Sequence, residues 1–145
     1  MIILDTNVVS ETMRPRPSAE VLAWLDAQAA NELWLTSTVA AELMFGVARL
    51  PDGGRKQQFA RSMSSMLERD FAGRVLPFDL AAASVLAELL ARRERAGQSL
   101  SLADAQIAAV CLAHGATLAT RNQKHFAGLG LKIVNPWGAA APSDT

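Results

Sequence analysis

The chain has 145 residues and a mass of 15.5 kDa, one domain's worth. Its 14 Lys+Arg balance 14 Asp+Glu, half the residues are apolar and 19% are charged, which excludes a disordered chain and a strongly basic nucleic-acid binder. The basic set is nonetheless eleven Arg to three Lys (Lys56, Lys124, Lys132), and Arg suits bidentate phosphate contacts, so a nucleic-acid partner survives the neutral total.

Ile2-Ile3-Leu4 is a short apolar run, the pattern of a strand buried on both faces. Arg14-Pro15-Arg16-Pro17 breaks the chain, and Ser18 then caps a helix carrying Val21, Leu22, Trp24 and Leu25. Leu33 to Thr36 reads as a second strand. Ser37 or Thr38 is expected to cap a helix with Val39, Leu43, Val47 and Leu50 on one stripe. Pro51-Asp52-Gly53-Gly54 is a turn, and Lys56 to Glu68 is amphipathic. Arg74 to Phe78 forms a third strand. Asp79 caps a helix from Leu80 to Ala96 that stops at Gly97, and Ser101 caps another that ends at His114-Gly115. Thr117-Leu118-Ala119 and Leu131 to Val134 complete a set of five strands, closed by Asn135-Pro136.

Alternating strands and helices imply right-handed crossovers and parallel pairing. The expected fold is a three-layer α/β/α sandwich around a central, mostly parallel five-stranded sheet. It spans residues 1–137, with a loose tail over 138–145. The lone Cys111, in an apolar run, reads as a core residue and excludes an intrachain disulfide. The N-terminus carries no secretory pattern, and no uncharged apolar stretch approaches about 18 residues. The cytoplasm is therefore the expected compartment.

Ligands of such sheets bind beyond the carboxyl ends of the strands. Asp5 directly follows the first strand, where it also serves to cap the next helix. Glu42 lies ~100° from Leu43, at the border of its helix's apolar stripe, and Gly46 one turn later leaves room beside it. Asp104 opens a helix that is apolar almost all round, where a carboxylate is costly unless paired or bound to a cation. Ser101 to Asp104 also fits a capping box. Asn122 and Thr120 follow the fourth strand and bring uncharged oxygens. Three acids from separate elements, converging on one rim, suit the hard oxygen coordination of Mg²⁺ or Mn²⁺. A divalent ion removes their mutual repulsion and serves hydrolysis at phosphorus.

The motifs have a familiar combination. Met1 to Glu11 resembles the opening of a PIN domain of the VapC/FitB toxin type. Thr36-Ser37 with Ala41-Glu42-Leu43 resembles the second motif, Leu102 to Ala109 the third, Leu118 to Asn122 the fourth, and Val134 to Trp137 the typical ending. The resemblance runs in order over residues 1 to 137. It implies a Mg²⁺- or Mn²⁺-dependent endoribonuclease, the toxin of a toxin–antitoxin pair. Asp5, Glu42 and Asp104 match its acidic positions and take the metal and catalytic roles. Asn122 stands at a fourth position that is often acidic, and His125 stands where many relatives have Asp. Thr6, Asn7 and Thr120 are expected to support the acids by hydrogen bonding. Arg14, Arg16, Arg121 and Lys124, in loops bordering the same rim, are expected to contact RNA phosphates.

The resemblance also implies a homodimer and a small antitoxin whose extended C-terminal segment covers the acidic site. Trp24, Trp34, Met44, Phe45, Phe59, Met63 and Met66 supply the apolar surface for such interfaces. Three alternatives compete: a degenerate PIN-like module that binds RNA or antitoxin without cutting, a receiver-like acidic Mg²⁺-binding module, and a phosphatase of the haloacid type. The second would need paired early acids and a phosphoacceptor on the third strand. This chain has a single early Asp5, and Asp79 reads as a helix cap. A phosphatase of the haloacid type would need a second Asp two residues after Asp5, where Asn7 stands.

Overall fold

The computed structural model describes residues 1–138. Strands β1 (Ile2–Leu4), β2 (Leu33–Thr36), β3 (Val75–Leu76), β4 (Thr117–Ala119) and β5 (Lys132–Val134) form one sheet in the order β3-β2-β1-β4-β5. Every ladder is parallel, with Ile3 opposite Trp34 on one side and Leu118 on the other. Six helices flank the sheet: α1 (Thr6–Thr12), α2 (Ala19–Asp26), α3 (Ser37–Ala48), α4 (Gly54–Ser65), α5 (Leu80–Arg95) and α6 (Leu102–His114). This is the expected three-layer sandwich. The expected tail lies outside the described residues except for Gly138, whose N–H donates to Asn135 O at 3.0 Å and so belongs to the closing turn.

Chain propagation from β1 to β2 to β3 runs one way across the sheet. The chain then crosses back over β1 to lay down β4 and β5. β1 and β4 are thus neighbours whose onward connections leave in opposite directions, which opens a crevice at their carboxyl ends. Ile3, Leu35 and Leu118 fill the sheet's centre, and Val8, Val39, Leu89, Ile107 and Val110 press on it from the helices; all are fully buried.

The capping residues decide where helices enter this crevice. α3 is capped not by Ser37 or Thr38 but by Thr36, the last residue of β2, whose Oγ1 accepts from Val39 N at 3.1 Å. Its extended backbone holds the hydroxyl over the first turn, so strand and helix join without a loop. The helix ends at Ala48, which leaves Leu50 beyond the predicted stripe. Asp79 Oδ1 accepts from Ala82 N at 3.0 Å, and Ser101 Oγ accepts from Asp104 N at 3.1 Å, so both act as caps as expected. α6 stops at Gly115, whose φ of 60° is the left-handed conformation glycine adopts without strain. The amphipathic stretch after Lys56 is less regular than its pattern. α4 gives way to a wider π turn over Met66–Asp70, where Phe71 N reaches back to Met66 O at 3.0 Å.

Candidate active site

β1 delivers Asp5 to the crevice. Its N–H donates to Ala119 O at 2.9 Å, continuing the ladder one residue past the strand, while its side chain turns to cap α1. Asp5 is only 4% exposed, so its carboxylate must be satisfied by protein. Oδ1 accepts from Thr6 N at 2.9 Å. Oδ2 accepts from Thr120 Oγ1 at 2.7 Å and from Asn7 Nδ2 at 3.1 Å. The two expectations for Asp5, helix cap and site carboxylate, therefore hold together.

Thr120 and Asn7 clamp that carboxylate from both sides of the crevice. Thr120, fully buried at the end of β4, donates to Asp5 and accepts from Asn122 N at 3.0 Å. Asn7 spans the gap: its amide nitrogen also lies 3.4 Å from Thr120 Oγ1, and its Oδ1 accepts from Arg121 N at 3.1 Å. Thr6 ties in the second acid, since its hydroxyl donates to Glu42 Oε1 at 2.6 Å. Glu42 reaches it because α3 starts at the very end of β2.

Asp104 comes from the first turn of α6, near enough for its charge to act on Asp5. Ser101 caps its backbone N–H, but the return half of the capping box is not formed among the described hydrogen bonds. The carboxylate instead stands 23% exposed with His125 Nδ1 at 3.5 Å. Thr38 Oγ1, on α3, donates to Gln106 Oε1 at 3.1 Å and ties the helix of Glu42 to the helix of Asp104. The sequence suggested Thr38 only as a possible helix cap and gave Gln106 no role, because a side-chain bond across 68 positions leaves no local pattern.

The electrostatics set Asp5 apart. Burial pushes its carboxyl above the ordinary range, and the nearby charge of Asp104 adds to the rise. The bonds from Thr120, Thr6 and Asn7 oppose it. No ion pair reaches Asp5 among the described residues. Three of about four lone-pair sites on its oxygens are used, so one stays free. A buried carboxylate with a second one close by and no cation suits a hard divalent ion. The expected convergence of Asp5, Glu42 and Asp104 as three ligands of one ion is not formed: among the described residues, no three His, Cys, Asp or Glu side chains are grouped so that they could hold a metal ion.

The remaining predicted residues divide. Asn122 joins the site through its backbone N–H; its side chain is exposed and makes no hydrogen bond among those described. Arg14, Arg16 and Arg121 are exposed on loops, and Lys124 is exposed on a short 3₁₀ helix, Gln123–Phe126. Arg14 pairs with the buried Glu11 at 3.3 Å, and Glu11 also accepts from Ser18 N, which pins the Arg-Pro loop. Arg14 lines a groove of about 360 Å³ beside Glu42, with Arg55, Phe59 and Met63. Gly46 lines it too, and a Cβ there would meet nothing within 4 Å, so the expected room beside Glu42 exists. Arg121 stacks on Trp137 at 4.8 Å. Lys124 lines a separate cleft on the Asp104 side, together with Arg93, which carried no signal in sequence.

Of the large apolar residues set aside for interfaces, Phe45 and Met44 are 61% and 49% exposed. Met63 belongs to the core, and Trp24, Trp34 and Met66 pack against it. Cys111 is fully buried, and burial pushes its thiol up to about 12, so it is a core residue without thiolate chemistry.

The sequence profile described as PIN domain matches residues 2–130. Plasmid stability protein StbB of Pseudomonas syringae pv. tomato is 46% identical over 139 residues, covering 96% of this chain and all of that protein. VapC ribonuclease Y4jK of Sinorhizobium fredii is 44% identical over 140 residues, covering 97% of this chain and all of that protein. Toxin FitB of Neisseria gonorrhoeae is 38% identical over 94% of this chain and 99% of its own length. The crystal structure of FitAcB from Neisseria gonorrhoeae superimposes with a TM-score of 0.90 at 38% identity, over 95% of this chain and 99% of that one.

Proposed function

The chain belongs to the PIN domain family, of the VapC/FitB type, and from that premise we propose that it is a divalent-metal-dependent endoribonuclease acting as the toxin of a toxin–antitoxin pair. The observation that carries this reading is Asp5: a buried carboxylate at the strand-order reversal, without a cationic partner among the described residues, held by three donors and under the influence of the Asp104 charge. Asp5 and Asp104 are the residues to hold Mg²⁺ or Mn²⁺. When bound, such an ion supplies an activated water and stabilises charge on a phosphodiester.

The protein's own residues then orient the reaction. Thr120, Thr6 and Asn7 fix the Asp5 carboxylate so that it need not reorganise. Thr6 occupies one oxygen of Glu42 and leaves the other to accept a hydrogen bond from the attacking water. Arg14, on the Glu42 side, offers a guanidinium to the RNA backbone. Asn122 serves by keeping Thr120 in place through its N–H.

The partner is a small antitoxin with an extended segment, and the chain works as a homodimer in the cytoplasm, where its RNA is. Exposed Phe45 and Met44 on α3 support an interface there. FitAB and VapBC2 of Rickettsia felis were each solved as complexes bound to DNA fragments, which supports an antitoxin for this chain as well. No described helix is long and apolar enough to cross a membrane.

The test is cleavage of a fluorogenic single-stranded RNA by the purified chain with Mg²⁺, Mn²⁺ or EDTA. Cleavage is expected with either metal, and none with EDTA. Asp5→Asn and Asp104→Asn are expected to abolish it while circular dichroism stays unchanged. Normal cleavage by either variant refutes the site. The lack of a closed three-acid cluster supports one second reading, a module that binds RNA or antitoxin without cutting. RNA binding without cleavage in any metal would favour it.

A further inference from the structure

Lys124, expected to contact RNA phosphates, lines a cleft on the far side of Asp104 whose other residues have no role in the reading above. Its volume is about 510 Å³, within the roughly 300–1,000 Å³ of ligand clefts, and Arg93, Ser99, Ser101, Lys124 and His125 line it with Asp104. We propose that this cleft holds the RNA backbone phosphate next to the scissile one, so that the substrate runs from Asp104 past His125 toward Arg93. The proposal rests on the ribonuclease reading and adds the path of the substrate.

Arg93 is the anchor. Its guanidinium is oriented by two neutral acceptors, Gln98 Oε1 at 3.0 Å and Ala127 O at 2.7 Å. Neither neutralises it, and no ion pair reaches it among the described residues. Three of its five N–H donors stay free. Lys124 likewise has no ion pair or side-chain hydrogen bond among those described. Ser101 Oγ accepts from Asp104 N, which leaves its own proton to donate. The sole carboxylate of the lining is Asp104, which would hold the metal in the reading above. With Asp104 so engaged, an oriented guanidinium, a free ammonium and hydroxyl donors would remain, the complement of a phosphodiester. A protein segment is disfavoured, because its apolar side chains would find only Leu100 there.

Steady-state cleavage of single-stranded RNA in Mn²⁺, over a range of salt, tests this with Lys124→Ala, Lys124→Glu and Arg93→Gln. Lys124→Ala is expected to raise KM roughly three- to tenfold with kcat nearly unchanged, and to lower the salt slope of 1/KM by about 0.7, one single-strand phosphate contact. Lys124→Glu is expected to raise KM further, an ordering that a merely structural role would not give. Arg93→Gln is expected to behave as Lys124→Ala does. Wild-type cleavage with KM and slope unchanged in the variants overturns the cleft alone. A loss confined to kcat, or to antitoxin affinity, also overturns it. A wild type that neither binds nor cleaves RNA overturns the ribonuclease reading, and the cleft falls with it.

Discussion

Thr120→Val removes one hydroxyl and keeps the shape of the side chain. In the folded chain that hydroxyl is fully buried and donates to Asp5 Oδ2 at 2.7 Å. A hydrogen bond to a charged group contributes about 1.5–3 kcal/mol, so the variant is expected to lose about 2 kcal/mol at neutral pH. Its other partners add little: Asn122 N belongs to an exposed residue and can turn to water, and Asn7 Nδ2, a long 3.4 Å away, keeps its bond to Asp5. For 145 residues the unfolding entropy is about 0.3 kcal/mol/K, so the thermal midpoint should fall by about 6 °C.

The sign of the pH dependence follows from the same bond. Thr120 stabilises the ionised form of Asp5 and holds its pKa down against burial, so the variant's Asp5 titrates higher still. The lost stability is present only where Asp5 is ionised. Wild type and variant should therefore converge as the pH falls through the Asp5 titration. Urea unfolding at neutral pH and at the acid end of the stable range measures both limits. The metal concentration for half-maximal RNA cleavage should rise about tenfold, the scale of lost support to a ligand. A variant as stable as wild type at neutral pH, or a deficit that does not shrink in acid, refutes the reasoning.

Other outcomes follow from the same geometry. Asp5 has a raised pKa, so in the metal-free protein the folded state holds its proton longer than the unfolded chain, and stability should fall as pH rises above the ordinary value of 3.8. A divalent ion at 100 times its Kd should add about 2.7 kcal/mol at neutral pH in wild type and nothing in Asp5→Asn, read by calorimetry with Mg²⁺ or Mn²⁺. Thr6→Val frees Glu42 and should lower kcat at least tenfold with a small change in KM; an unchanged kcat would remove Thr6 from the mechanism. Phe45→Ala, on an exposed helix face, should weaken antitoxin binding at least tenfold in titration calorimetry while RNA cleavage stays normal, in keeping with aromatic hot spots.

Much of this fold could be read along the chain because its signals are local. Apolar triplets mark the buried strands, Ser18, Asp79 and Ser101 cap helices through bonds only three residues long, and Gly115 ends α6 by its φ. Asp5 and Asp104 stood out for the same reason, since each is a carboxylate where the local pattern demands apolar or capped backbone. The neutral composition was also readable, and setting Asp5, Glu42 and Asp104 apart leaves 14 basic against 11 acidic groups elsewhere.

What tertiary structure alone decided is which side chains meet. The strand order β3-β2-β1-β4-β5 puts Thr120 against Asp5 across 115 positions, and no periodicity encodes that neighbour. The Thr6–Glu42 bond needs α3 to start without a loop, which depends on Thr36 rather than Ser37 or Thr38 as cap. Asp104 faces His125 instead of closing its capping box, because the 3₁₀ helix over Gln123–Phe126 packs against α6 and offers it a partner that the helix alone cannot. Arg93 became legible only when α5 brought it beside Lys124 in one cleft. Side-chain chemistry is written residue by residue, whereas a site needs separate elements to converge, and the long-range packing of the sheet and its helices supplies that convergence.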